Sequence, residues 1–381
     1  MANIVDYLRW RGDVPFEADP LNTVDSLVLA ELSYMPFGGI VPESLDPPIL
    51  LRDAAAMVLS SPAADGLKED KLSLLRALAE APRFGDLPMG AFSAQSDAAH
   101  ELQFAAVSFR LPGPIWFAAF RGTDGTLVGW KEDFNMAFLY RTPGQLRAAA
   151  YLEKWFQKGT EPVIAAGHSK GGNFAVSSAV FCSEEMQRKI LRVYTFDGPG
   201  FREEVTAMPA YKAILPRVVS VLPEGSIIGL LLENDIPPQY VVSTGKGVWQ
   251  HDPFTWQVER NRLVPCPELR RSSELLDSTL TKWLRQLSDA ERESFVESLY
   301  DIATAPEQPT LHDLGENKMK SAAAFLKAAV SLPPEQQKSL ADALRKLAAS
   351  GKSTLEGELQ RRPEKDKDTD PDTGKAIKSS S

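Results

Sequence analysis

A serine set between two glycines offers the plainest chemistry in this chain, in the run Gly167-His168-Ser169-Lys170-Gly171. Upstream, Pro162 to Ala166 is an apolar run with the length of a buried strand. Downstream, Gly172 to Phe181 is rich in small residues and compatible with a helix. Strand, glycine-flanked serine and helix together match a nucleophile elbow, where a strained turn lifts the hydroxyl above the sheet. The glycines are needed because a side chain at either flank would strike the neighbouring strand or helix. A helix N-terminus just past the serine favours negative charge, which suits an oxyanion. A surface serine on a glycine turn is one rival. A phosphate-binding loop is another, but the order Gly-x-x-x-x-Gly-Lys-Ser/Thr is absent.

A serine hydroxyl is a poor nucleophile until a base takes its proton. The chain has four histidines, so elimination is practical. His168 lies in the elbow with its ring directed away from Ser169, His100 precedes the first core strand, and His312 lies in a helical extension. His251 remains, in a loop after the last core strand, consistent with the chain order serine, acid, histidine. The third member must be a carboxylate that orients the imidazole and stabilises its charged form. Asp197, in Asp197-Gly198-Pro199-Gly200, ends the strand after the elbow unit, and Glu224 ends the strand after that. Asp197 is preferred for its short side chain on a tight loop, with Glu224 the alternative. Asp252, adjacent to His251, would struggle to reach round to its ring. Oxyanion donors are expected at the backbone N–H of Lys170 and at Thr123, in a loop after the second hairpin strand. The Lys170 side chain is expected to face solvent.

The elements that must carry these residues alternate between strand and helix. Leu102 to Phe109 and Ile115 to Arg121 read as a hairpin joined by Leu111-Pro112-Gly113-Pro114. A helix from about Pro143 to Gln157 precedes the elbow strand. Leu191 to Phe196, Arg217 to Leu222 and Gln239 to Ser243 supply further strands, and Ser226 to Leu232 reads as an apolar helix that would line an acyl pocket, cover it or serve the core. This alternation predicts an α/β fold, a mostly parallel sheet flanked by helices, with right-handed crossovers. Nearer the N-terminus, Asn22 caps a helix running to about Tyr34, with Asp25 at its third position. Residues 40–100 read as mostly helical and loop-like.

Past Pro267 the composition changes. Ser272 to Leu287 and Ser288 to Thr304 read as amphipathic helices, and Pro333-Pro334 opens another that closes at Gly351. The expected organisation is an α/β domain over residues 1–265, a helical C-terminal region over 266–351 and a disordered tail over 352–381.

Several segments resemble known families. Phe120-Arg121-Gly122-Thr123, with Trp130 and Asp133 downstream, is similar to the oxyanion segment of fungal-type class 3 lipases, and Gly167 to Gly172 is similar to their elbow, with Lys170 where they usually carry an apolar residue. Asp197 to Phe201, Ser226 to Gly229 and Gln250 to Phe254 more closely resemble a bacterial family of lipase-like α/β-hydrolases of unknown function. The resemblance covers about Asn22 to Val258. It implies an α/β-hydrolase-type fold, Ser169 as nucleophile, and oxyanion donors at Thr123 and Lys170, with no substrate attached. The class 3 acid follows the strand equivalent to Arg217 to Leu222, where only Glu224 stands near, so Asp197 and Glu224 both stay open.

Bulk properties narrow the setting. Of 381 residues 43% are hydrophobic, enough for a sizeable core, and the net charge is −9 with no basic run before the C-terminal tail. That argues against nucleic acid and against electrostatic docking on anionic lipid. Cys182 and Cys266 lie in no metal-like cluster and cannot make a disulfide framework. No secretory signal and no apolar stretch long enough to span a bilayer is visible. The expectation is a cytoplasmic serine esterase or lipase-like hydrolase with a small acyl or ester substrate, no cofactor and no metal, and C-terminal helices able to take a protein partner. A catalytically silent scaffold, or an acyltransferase or thioesterase, is the alternative.

Overall fold

A computed structural model describes residues 2–97, 99–123, 132, 135, 136, 139–304 and 329–361. Eight strands form one sheet in sequence order: β1 (Ile49–Leu50), β2 (Pro88–Asp97), β3 (Leu102–Leu111), β4 (Ile115–Phe120), β5 (Val163–His168), β6 (Ile190–Phe196), β7 (Val218–Pro223) and β8 (Pro238–Val241). Pairings from β1 to β4 are antiparallel, and those from β4 to β8 are parallel. This is the mostly parallel sheet flanked by helices that the sequence predicts, with a helical C-terminal extension. β5 is buried along its whole length, as a central parallel strand covered on both faces must be.

Helices Pro143–Phe156 and Lys170–Phe181 pack together on one face, and Thr23–Glu31 lies against β4, β5 and β6 on the other. Asn22 accepts from the N–H groups of Val24 and Asp25 while the Asp25 carboxylate takes the Asn22 N–H, which starts the Thr23–Glu31 helix where the sequence places it. Because β4 to β7 run parallel in close register, the residues after Phe120, His168, Phe196 and Pro223 arrive at one edge. That edge is where open α/β sheets place ligand chemistry.

Three expectations about elements need correction. Residues 40–100 contain β1 and β2, two antiparallel strands, beside their helices. Ser226 to Leu232 is not an α-helix; only Ile228–Leu230 forms a short 3-10 turn, because Asp197 draws on the Ser226 hydroxyl and the Gly229 N–H. The last helix runs from Pro334 to Arg361, past Gly351, so residues 352–361 are helical where disorder is expected. Gly351 does not take the positive φ with which a glycine caps and ends a helix, so the helix runs through it. Trp130, Asp133 and His312 lie outside the described residues, as do 362–381.

Helices Arg271–Arg285, Asp289–Thr304 and Pro334–Arg361 share small cores of their own. Trp283, Leu287 and Ala343 are buried together with Leu280, Leu284 and Phe295 packed against them, and Ile302, Leu332 and Leu340 form a second cluster.

Candidate active site

Ser169 sits at φ 59° and ψ −134° between β5 and its helix. A non-glycine residue in that region costs about 1–3 kcal/mol and persists only where its surroundings hold it. The surroundings are visible. The Ser169 N–H donates to the Phe196 carbonyl at 2.9 Å, and a Cβ at Gly167 would overlap the carbonyl of Gly171. The sequence reading of the elbow therefore matches the backbone found.

His251 lies in the short helical turn Gly247–His251, and its Nδ1 is 2.6 Å from Oδ2 of Asp197. Asp197 is fully buried, and its other oxygen accepts from the Ser226 hydroxyl at 2.5 Å and the Gly229 N–H at 3.1 Å. A carboxylate held by three donors cannot turn away from the imidazole. With Nδ1–H given to Asp197, the basic lone pair of a neutral ring is on Nε2. Glu224, the other acid considered, pairs with Arg270 at 2.5 Å. Asp252 spends its carboxylate on the Phe254 N–H at 3.0 Å, and burial raises its pKa.

Ser169, His251, Thr123 and Lys170 line one cavity of about 400 Å³. A larger one, about 720 Å³, is lined by Ile115, Ile164 and Tyr240 among others. It brings none of these four residues together, so the smaller cavity is the candidate site. Ile228, Leu231 and Leu232 do line it, which places the Ser226 to Leu232 segment at the pocket wall as one of its sequence readings has it, though without a helix.

The Lys170 side chain overturns expectation. It is buried, with Nζ donating to Gln103 Oε1 at 2.8 Å and to Glu132 Oε2 at 3.1 Å. Glu132 also accepts from the N–H of Gln103 at 3.0 Å and of Gly144 at 2.7 Å. One buried carboxylate thus ties the elbow to β3 and to the N-terminus of the next helix, where negative charge is favoured. A buried ammonium needs such partners, and this one has them.

Sequence reasoning missed the support behind His251. The His168 Nε2 lies 2.8 Å from the His251 carbonyl. A carbonyl only accepts, so Nε2 carries the proton and Nδ1 of a neutral ring is the lone-pair side. Nδ1 faces the Tyr34 hydroxyl at 3.3 Å and Glu31 Oε1 at 3.4 Å. Burial, helped by the nearby His251, pushes the His168 pKa well down. Glu31 is likewise driven by burial, up to about 7. Tyr34 accepts from the Gly122 N–H at 3.1 Å and donates to the His168 carbonyl at 3.1 Å. It joins the loop bearing Thr123 to the elbow. The Trp256 indole donates to the Gln250 carbonyl at 2.7 Å, fixing the turn that carries His251.

Among the described residues, no group of His, Cys, Asp and Glu is placed to hold a metal ion, and no helix is long and apolar enough to cross a membrane.

Comparison with known proteins gives a family and a set of weak structural likenesses. The model of the Mbeg1-like family matches residues 78–301. Among solved structures, the native Rhizomucor miehei lipase propeptide complex is 17% identical, over 46% of this chain and 68% of its own, at a TM-score of 0.33. The M37 lipase is 14% identical over 54% and 69%, at 0.33. A deletion mutant of the Rhizomucor miehei complex is 14% identical over 66% and 75%, at 0.36. No curated protein matches the sequence.

Proposed function

This chain belongs to the Mbeg1-like family, and we propose that it is a serine hydrolase cleaving a carboxylic ester or related acyl bond. The observation that carries this reading is the 2.6 Å contact between His251 Nδ1 and the buried Asp197 carboxylate, on a histidine that shares a cavity wall with the strained Ser169.

In this reading, the Ser169 hydroxyl oxygen attacks the acyl carbonyl carbon while His251 Nε2 takes its proton. Asp197 keeps the ring oriented and stabilises the imidazolium. The carbonyl oxygen, now negative, is met by the backbone N–H of Lys170 at the start of the elbow helix and by Thr123 in the loop after β4. Collapse expels the alcohol, which leaves with the proton from His251, and an ester on Ser169 remains. Water then attacks that ester, giving its proton to His251; collapse breaks the bond between the acyl carbon and Ser169 Oγ, His251 returns the proton to Oγ, and the acid is released. The buried Lys170–Glu132 pair and the Tyr34 bridge would hold the two donor segments at fixed separation, which electrostatic stabilisation requires.

Hydrolysis of p-nitrophenyl butyrate tests this. The wild-type chain is expected to turn it over, and Ser169→Ala is expected to lose at least about 10³-fold in rate. Equal rates in the two proteins would end the proposal.

A further inference from the structure

The walls of the cavity that holds Ser169 and His251 come from two parts of the chain. The sheet domain gives the polar side. Much of the rest comes from the C-terminal helices: Leu280, Trp283 and Leu284 on Arg271–Arg285, Leu287 just beyond it, and Phe295 and Val296 on Asp289–Thr304. Residues 280, 283, 284 and 287 follow the i, i+3, i+4, i+7 spacing of a single helical face. That face therefore serves twice. It packs on Pro334–Arg361 around Trp283 and Ala343, and it closes the cavity over the elbow.

From this we infer that the C-terminal helices are the acyl-binding cap of the site, and that the substrate carries an apolar acyl chain lying along Leu280, Leu284 and Val296. The inference rests on the hydrolase reading of Ser169 and names its substrate class. Three observations carry it. Among the described residues that line the cavity there is no carboxylate, and the fixed positive groups are Lys170 and Arg292. That guanidinium spends two nitrogens on the Leu284 carbonyl, at 3.2 and 2.7 Å. Lys170 spends its ammonium on Gln103 and Glu132. The volume, about 400 Å³, falls within the roughly 300–1,000 Å³ of small-molecule sites. The cap is fastened across the cavity rim by Arg285 to Glu233 at 2.9 Å and Arg202 to Asp289 at 3.0 Å, with Arg270 to Glu224 at the base of the first helix.

The test uses the full chain and two esters, p-nitrophenyl butyrate and p-nitrophenyl decanoate. Leu284→Trp fills the cavity, and Leu284→Ala enlarges it. The ratio of kcat/KM for decanoate over butyrate is expected to fall about tenfold or more in Leu284→Trp and to rise in Leu284→Ala, because methylenes that the cavity no longer accommodates lose their transfer out of water. A ratio that moves in neither variant, or the same way in both, overturns the inference while leaving the hydrolase intact. Calorimetric binding of decanoate to Ser169→Ala separates the two readings. Binding that is lost when Leu284→Trp is added supports the cap pocket even if the wild type hydrolyses no ester. Absence of binding to Ser169→Ala overturns it.

Discussion

The cavity has two sides that are held in opposite ways. On the sheet side, Asp197, Lys170, Glu132 and His168 are all buried, and each polar group is met by short hydrogen bonds from segments far apart in sequence. On the cap side the lining is apolar, and the polar ties to the sheet domain are ion pairs with at least one exposed partner, such as Arg285 with Glu233 and Arg202 with Asp289. Buried polar contacts fix geometry because losing one strands its partner away from water. Exposed ion pairs contribute little and weaken with salt. The side to which the proposed mechanism assigns the chemistry is therefore the more firmly held, and the side to which the proposal assigns the acyl chain is loosely fastened.

The sheet side should break hardest. Lys170→Met leaves the Glu132 carboxylate buried without its ammonium, which is expected to cost about 3–5 kcal/mol. Adding Glu132→Gln should recover much of that loss in thermal or denaturant unfolding. A Lys170→Met protein as stable as wild type would show that the buried pair does not hold the elbow.

Glu31 sharpens the picture through pH. Its carboxyl, raised from 4.5 to about 7 by burial, stays protonated in the folded chain while the unfolded chain ionises. Its contribution is fully present below pH 4.5 and is lost as pH rises towards 7. The depressed His168 acts oppositely, since its contribution is present above about pH 6.5 and is lost as pH falls. Glu31→Gln removes only the first. The stability of Glu31→Gln minus wild type should then grow by about 3 kcal/mol between pH 4.5 and pH 7, at 1.36 kcal/mol per unit. A flat difference across that range would mean Glu31 is not buried behind His168.

The cap side should respond least. Arg285→Gln removes one exposed tie and is expected to lower stability by less than about 1 kcal/mol, an effect that high salt erases in the wild type. A loss as large as that of Lys170→Met would erase the contrast between the two sides.

Much of this was legible in the chain itself, for local reasons. The elbow is written in adjacent residues: an apolar strand, glycines where a Cβ would collide, and a small-residue helix. The Asn22 cap is equally local. Strand β2 was not legible, because Pro88 to Asp97 contains Pro, Gly, Ser and Ala without apolar alternation, and its pairing slips between Gly90 and Ser93, with Ala91 at φ 53°. The burial of Lys170 depends on Glu132 and Gln103, 38 and 67 positions away. The support for His251 depends on Tyr34, which lies 134 positions from His168. Partners at such separations leave no periodic trace. The choice between Asp197 and Glu224 was open for the same reason: both follow strands that end at the same edge, and only the path of the His251 turn separates them.

In the proposed mechanism Ser169 is made nucleophilic by His251 and Asp197. A fluorophosphonate, which reacts only with activated serines, addresses it without any knowledge of the substrate. Labelling should map to the peptide containing Ser169 and should vanish in His251→Asn and in Ser169→Ala. Labelling of some other residue, or none in a folded wild-type protein, would contradict the account.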